Sequence, residues 1–282
     1  MKSRLFNFYP LKNLTESIDS DIERYGVNKT MAGLIKKCGT ELKIVNKTQE
    51  LNVVLKSKPV VIVANHPAQA DVLAILAALP YRHDLKMVSI AYLLKICKKF
   101  DKHLIPVYIF NRLVSNGERG NLEILKKISN LPQYTYEEER RKNVESIKVA
   151  GRTLKKGGLV VIFPAGGSKN NKWLNGIGYM IKNSEKKTGV CVVKAFIEGT
   201  SRWDYFRIIP FIGRLMPKFK VTFSEARDVS VYLSENPKTT TTNIEADFNS
   251  WSDQFNRVNT WLPYKTLAVI RSVFFWIMMK GH

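Results

Sequence analysis

Residues 61 to 73, VIVANHPAQADVL, run from apolar residues through a short polar cluster and back. They place His66 and Asp71 five positions apart. A carboxylate within reach of an imidazole fixes its tautomer and stabilises the imidazolium, so such a pair can remove a proton from a hydroxyl group. No nucleophile accompanies it: the chain has no GxSxG elbow, and none of its cysteines sits in a comparable context. The matching chemistry is direct attack by a substrate hydroxyl on an activated acyl or similar group. Local pattern alone equally allows an uninvolved imidazole beside a helix N-terminal carboxylate. His83, His103 and His282 have no case comparable to that of His66.

The pair needs elements that bring it together. The strand through residues 59–64 should end near Ala64, Pro67 blocks its continuation, and a helix should begin around Gln69 to Asp71. His66 then lies at the C-terminal end of a strand, where open α/β sheets form clefts. Further apolar, β-branched runs at 85–91, 104–110, 158–163 and 189–197 alternate with helical stretches. The expected fold class is therefore α/β, with a mostly parallel central sheet covered by helices on both faces.

A helix is expected over 136–156, with Thr135 and Glu138 as a capping box and Val144, Ile147, Ala150 and Leu154 on its buried face. Another is expected over 243–262, its stripe of Phe248, Trp251, Phe255, Val258 and Leu262 facing the core. The polar run at 236–243 reads as a surface loop, and 266–279 as a C-terminal amphipathic helix suited to a lipid interface or to the protein's own core. Three segments result: an N-terminal helical element over 1–40, a candidate for membrane contact; an α/β domain over 41–235; and C-terminal helices over 236–282. All three are expected to form one compact unit.

Among the 282 residues, 45 Lys and Arg oppose 24 Asp and Glu, a formal net charge of +21. Such an excess favours a polyanionic partner, either nucleic acid or an anionic membrane surface, although it also suits plain solubility. No nucleic-acid motif is present, and none is expected as partner. The three cysteines are widely spaced, without a CxxC pair, which argues against a disulfide framework or a zinc site and for a reducing compartment. No apolar run is long enough for a spanning helix or a signal peptide.

The stretch NHPAQAD resembles the His-x4-Asp motif of the glycerolipid acyltransferase family, which includes lysophosphatidate acyltransferases. Three further blocks follow in the family's order, over residues from about 41 to 225. VYIFNR puts Arg112 where the family has an arginine that holds the acceptor's phosphate, although Asn111 stands where an acidic residue is usual. The third block departs from the family form FPEGTRS: FPAGGSKN keeps Phe163, Pro164 and Gly166, while Ala165, Gly167 and Ser168 replace Glu, Thr and Arg. Lys169 restores a positive charge one position later, without the two-oxygen fit of arginine. FIEGTSR at 196–202 looks more like the third block in letters but occupies the place of the fourth, an apolar strand leading into Gly-Thr; Glu198 and Arg202 are candidates to fill the space vacated in the third.

The resemblance implies acyl transfer from a thioester, acyl-CoA or acyl carrier protein, to the hydroxyl of a lysolipid, foremost 1-acyl-glycerol-3-phosphate. His66 would be the base and Asp71 its orienting partner, with Arg112, Gly166, Lys169 and Asn65 binding substrate. It implies no metal, no bound cofactor, and peripheral attachment to the cytoplasmic face of an anionic membrane. Two alternatives stay open. One is an acyltransferase for a glycolipid or amino-acid lysolipid, the other a membrane-surface protein that keeps the fold with little or no catalysis.

Overall fold

The computed structural model describes residues 9–94, 97–109, 132, 134–166, 173–184, 189–201, 203–208 and 210–255. Eight strands form one sheet: β1 (Leu42–Val45), β2 (Val60–Ala64), β3 (Lys86–Ile90), β4 (Leu104–Val107), β5 (Leu159–Ile162), β6 (Cys191–Glu198), β7 (Phe219–Phe223) and β8 (Arg227–Asp228). Their order is β1-β7-β6-β2-β5-β3-β4, with β8 also paired to β6. Strands β6, β2, β5, β3 and β4 run parallel to one another. β7 is antiparallel to β6 and parallel to β1. The outer edge of β6 is shared, with β8 beside Cys191 and Val192 and β7 beside Ala195 to Glu198.

Both faces are covered, as expected for strands apolar on both sides. One face takes the helices α1 (Tyr9–Lys37), α2 (Gln49–Ser57) and α3 (Asp71–Ala78), whose Ile22, Met31, Leu55 and Ile75 pack with Val60, Ile62 and Ala64 of β2. The N-terminal helical element is thus part of the core, bent at Gly26. The short α4 (Lys98–Asp101) precedes β4. Helices α5 (Tyr136–Lys155) and α6 (Gly176–Asn183) cover the other face; α7 (Pro210–Leu215) precedes β7, and α8 (Pro237–Ser252) returns to the α5 and α6 side. No helix among the described residues is long and apolar enough to cross a membrane.

The capping box of α5 is formed in both directions: Glu138 N–H donates to Thr135 Oγ1, and Thr135 N–H donates to Glu138 Oε2 at 2.8 Å. Val144, expected on its buried face, is instead exposed, because the helix's contact stripe runs through Ile147, Ala150 and Leu154. The run at 236–243 is not a loop. Asn236 accepts the Lys238 N–H as N-cap, Pro237 occupies the first turn, and Thr241 is buried where its hydroxyl accepts the Gly178 N–H at 3.1 Å. The aromatic stripe of α8 is core as expected: Phe248 stands 5.4 Å from Trp173, and Phe255, just past the helix, stacks on Phe196 at 4.9 Å. Val258, Leu262, the 266–279 segment and His282 lie outside the described residues.

One buried arginine gathers the N-terminal ends of three neighbouring parallel strands. Arg82 forms a two-point pair with Asp84, just before β3, at 2.7 Å for each bond. It also donates to the carbonyls of Leu55 and Lys58, ahead of β2, and of Gly157, ahead of β5. Such a charge is tolerated in the interior because its donors are all engaged.

Candidate active site

His66 follows the C-terminal end of β2, and Asp71 is the first residue of α3. The intervening turn folds the carboxylate back toward the ring, with His66 Nδ1 2.9 Å from Asp71 Oδ2. The same oxygen accepts the Ala68 N–H at 2.8 Å, so the turn's own backbone fixes the carboxylate. Asp71 is 0% exposed and the His66 side chain 27%, leaving the base accessible and its partner enclosed. Phe163, at the end of β5, stacks on the imidazole with ring centres 4.6 Å apart and planes 26° apart. Carboxylate and aromatic ring together hold the imidazole in one orientation.

Burial pushes the Asp71 carboxyl above its ordinary range. It is opposed in turn by the hydrogen bond and charge of His66, by the Thr200 hydroxyl and by the Ala68 N–H. A carboxylate this enclosed has little to pair with except imidazolium, and its negative charge is therefore directed at His66.

Asn65 was expected to bind substrate, but its amide is occupied by the fold. Its Nδ2 donates to the Ile197 carbonyl at 2.9 Å and its Oδ1 accepts the Ile197 N–H at 2.7 Å. This pair of hydrogen bonds to the backbone of β6 extends the contact between β2 and β6 past their last paired residues, Ala64 and Ala195. It anchors the residue next to His66. Gly166 has φ 52° and closes a turn by donating its N–H to the Phe163 carbonyl at 3.0 Å. Among the described residues, the Phe163 carbonyl, at 4.0 Å, is what a Cβ at Gly166 would meet.

Arg112 and Lys169 lie outside the described residues, as do Asn111, Gly167, Ser168 and Arg202. The Glu198 carboxylate pairs with Lys220 of β7 at 2.8 Å, across the antiparallel register that sets these two residues opposite each other. Among the described residues no three of His, Cys, Asp and Glu gather as metal ligands.

The sequence reading placed the Gly-Thr after β6 in the fourth block without giving Thr200 a role. Gly199 has φ 83°, a left-handed conformation that side chains disfavour, and a methyl group there would collide with the Lys218 carbonyl. Gly199→Ala should therefore lower stability by about 2–4 kcal/mol in urea unfolding, and a loss below about 0.5 kcal/mol would contradict this packing. Beyond it, the buried Arg207 donates to Asp204 at 2.7 Å and to the Gly199 and Pro217 carbonyls and Thr40 Oγ1, each at 2.8 Å. The Gly-Thr pair after an apolar strand was the visible signal, although nothing in the sequence joined Thr200 to Asp71.

A search of curated proteins finds no match. Among solved structures, the chain is similar to the 1-acyl-sn-glycerophosphate (LPA) acyltransferase PlsC from Thermotoga maritima. The two share 17% identity with a TM-score of 0.46, over 89% of this chain and 83% of that one. A family model described as Acyltransferase matches residues 44–212. That stretch is more than half of the chain and runs from β1 through the His66–Asp71 pair and the loop after β6 into α7, so the chain belongs to the acyltransferase family that its ordered motifs resemble.

Proposed function

We propose that this protein transfers a fatty acyl group from a thioester, on coenzyme A or acyl carrier protein, to the hydroxyl of a lysolipid. The observation that carries the reading is the 2.9 Å His66–Asp71 pair at the open end of the parallel sheet, with the carboxylate buried and the imidazole accessible. Because Nδ1 faces the carboxylate, Nε2 is the nitrogen that accepts the hydroxyl proton. The hydroxyl oxygen bonds to the thioester carbonyl carbon as its proton moves to Nε2. The tetrahedral adduct then collapses, breaking the carbon–sulfur bond, and the departing thiolate takes the proton from the imidazolium. The thioester carries its own activation, so the scheme uses neither a covalent enzyme intermediate nor a bound cofactor.

Arg112, at its place in the second block, favours a phosphate-bearing acceptor, foremost 1-acyl-glycerol-3-phosphate. The altered third block, with Ala165 and Ser168, favours a departure toward a glycolipid or amino-acid lysolipid. The net charge of +21 supports peripheral attachment to an anionic membrane, the interface at which the acyl chain and the lysolipid meet. Part of the basic stretch at 93–102 is already engaged within the fold: Lys99 pairs with Glu23, and Asp19 accepts the Lys98 and Lys99 backbone N–H groups.

The test is free-thiol release from acyl-CoA and from acyl carrier protein across phosphate-bearing, glycosyl and amino-acid lysolipids. Release that depends on one acceptor class identifies it. Absence of acceptor-dependent release with either donor rejects the reading in favour of a non-catalytic surface protein.

A further inference from the structure

The His66–Asp71 pair uses only one carboxylate oxygen. Oδ2 meets both His66 Nδ1 and the Ala68 N–H, while Oδ1 is buried and forms no hydrogen bond. Thr200 poses the complementary problem. It is 1% exposed, and its hydroxyl also forms no bond. A carboxylate only accepts, whereas a hydroxyl can rotate to donate, and leaving either buried and unpaired is unfavourable.

The topology brings the two together. β6 lies next to β2, and the Asn65 bonds to Ile197 lock their ends side by side. The left-handed turn at Gly199 then leads directly to Thr200, on the flank of the site where α3 begins. The described part of the loop is tied down: Asp204 accepts the Ser201 N–H at 2.8 Å, and Arg207 joins Asp204, Gly199, Pro217 and Thr40.

We propose that Thr200 is a positioning residue for the base, donating its hydroxyl to Asp71 Oδ1 and so keeping the carboxylate ionised and aimed at His66. In support, the Thr200 hydroxyl lies near enough to Asp71 to lower its carboxyl against the effect of burial, although it does not meet Oδ1 in a full hydrogen bond. Among the described residues, Asp204 and Arg207 also carry charge in this corner: burial raises the Asp204 carboxyl, the bond and charge of Arg207 and the Ser201 N–H pull it down, and the nearby Asp71 charge again raises it. A second negative charge makes a donor to Asp71 more valuable, not less.

The inference depends on the proposed acyl transfer only for its kinetic readout, and the test has a second one. The titration midpoint of the His66 ring is followed by proton NMR in wild type, Thr200→Val and Thr200→Ser, alongside kcat and acceptor KM from thiol release. Without the hydroxyl, the carboxylate is less well stabilised and the pair holds its proton more tightly. Thr200→Val should raise the midpoint by about half a pH unit or more, shift the acidic limb of kcat upward, and lower kcat about tenfold with acceptor KM within about twofold. Thr200→Ser should restore all three. A purely structural role would lower stability but leave the midpoint in place, which overturns the proposal, as does failure of serine to rescue. Should the valine variant not fold, Thr200→Ala is compared with Thr200→Ser on the same readouts. If wild type releases no thiol, the acyl-transfer reading fails, and the NMR midpoint alone decides the role of Thr200.

Discussion

His66→Ala is expected to lower kcat for acyl transfer by about a thousandfold, within the range that general-base catalysis commonly supplies. The imidazole is the accessible half of the pair and is held by Asp71 through Nδ1, so removing it should leave the fold in place. The loss should fall on kcat, with acceptor KM little altered, because the base acts only as the hydroxyl loses its proton. Circular dichroism and thermal unfolding of the variant separate lost chemistry from lost structure. A folded variant retaining more than about a third of wild-type kcat would remove His66 from the base role and leave the thioester's own reactivity as the source of turnover.

Asp71→Asn should cost nearly as much, about a hundredfold to a thousandfold in kcat, through a different failure. The Ala68 N–H donates to Oδ2 at 2.8 Å, so an asparagine amide must set its oxygen there; turning its NH2 to that position would oppose two donors. The amide oxygen can still accept from Nδ1, which preserves the tautomer. What disappears is the charge that stabilises the imidazolium. His66 then gives up its proton more readily, and the acidic limb of the kcat profile should move to lower pH as the maximum falls. This shift is opposite in sign to that expected for Thr200→Val, where the charge remains but is less well supported. A kcat profile that keeps its height and its acidic limb in Asp71→Asn would show that the carboxylate serves the turn and not the base.

Much of the central sheet could be read from sequence because its strands are buried on both faces. The runs that became β2, β3, β5 and β6 are almost uninterrupted apolar residues, and their ends were placed within one or two residues. The strands β1, β7 and β8 were missed for the converse reason. Leu42–Val45 and Phe219–Phe223 are short and broken by Lys43 and Lys220, and Arg227–Asp228 holds only two residues; they take their form from pairing with neighbours. The start of α8 was misread because four consecutive threonines have weak helix preference. The Asn236 cap and Pro237 were nonetheless legible, and tertiary burial of Thr241 prevailed.

At the site, His66 and Asp71 are close in sequence and were legible together, because one turn positions both. Asn65 was expected to bind substrate from the family resemblance. Its actual partner, Ile197, is more than a hundred residues away and belongs to a register that sequence alone did not define. Thr200 escaped notice on the same grounds.

The Arg82 hub and the His66 turn occupy opposite ends of the same strands, β2 and β5. Durability and invention are thereby assigned to different poles of the molecule. The pole gathered by the arginine has little latitude, since any drift there strands a buried charge among backbone carbonyls. The pole carrying the Phe163–Gly166 turn can exchange one side chain for another while the far ends of its strands stay clamped. Under the proposed acyl transfer, a third block as altered as Ala165 and Ser168 is the kind of change such a division of labour allows, a new acceptor without risk to the scaffold.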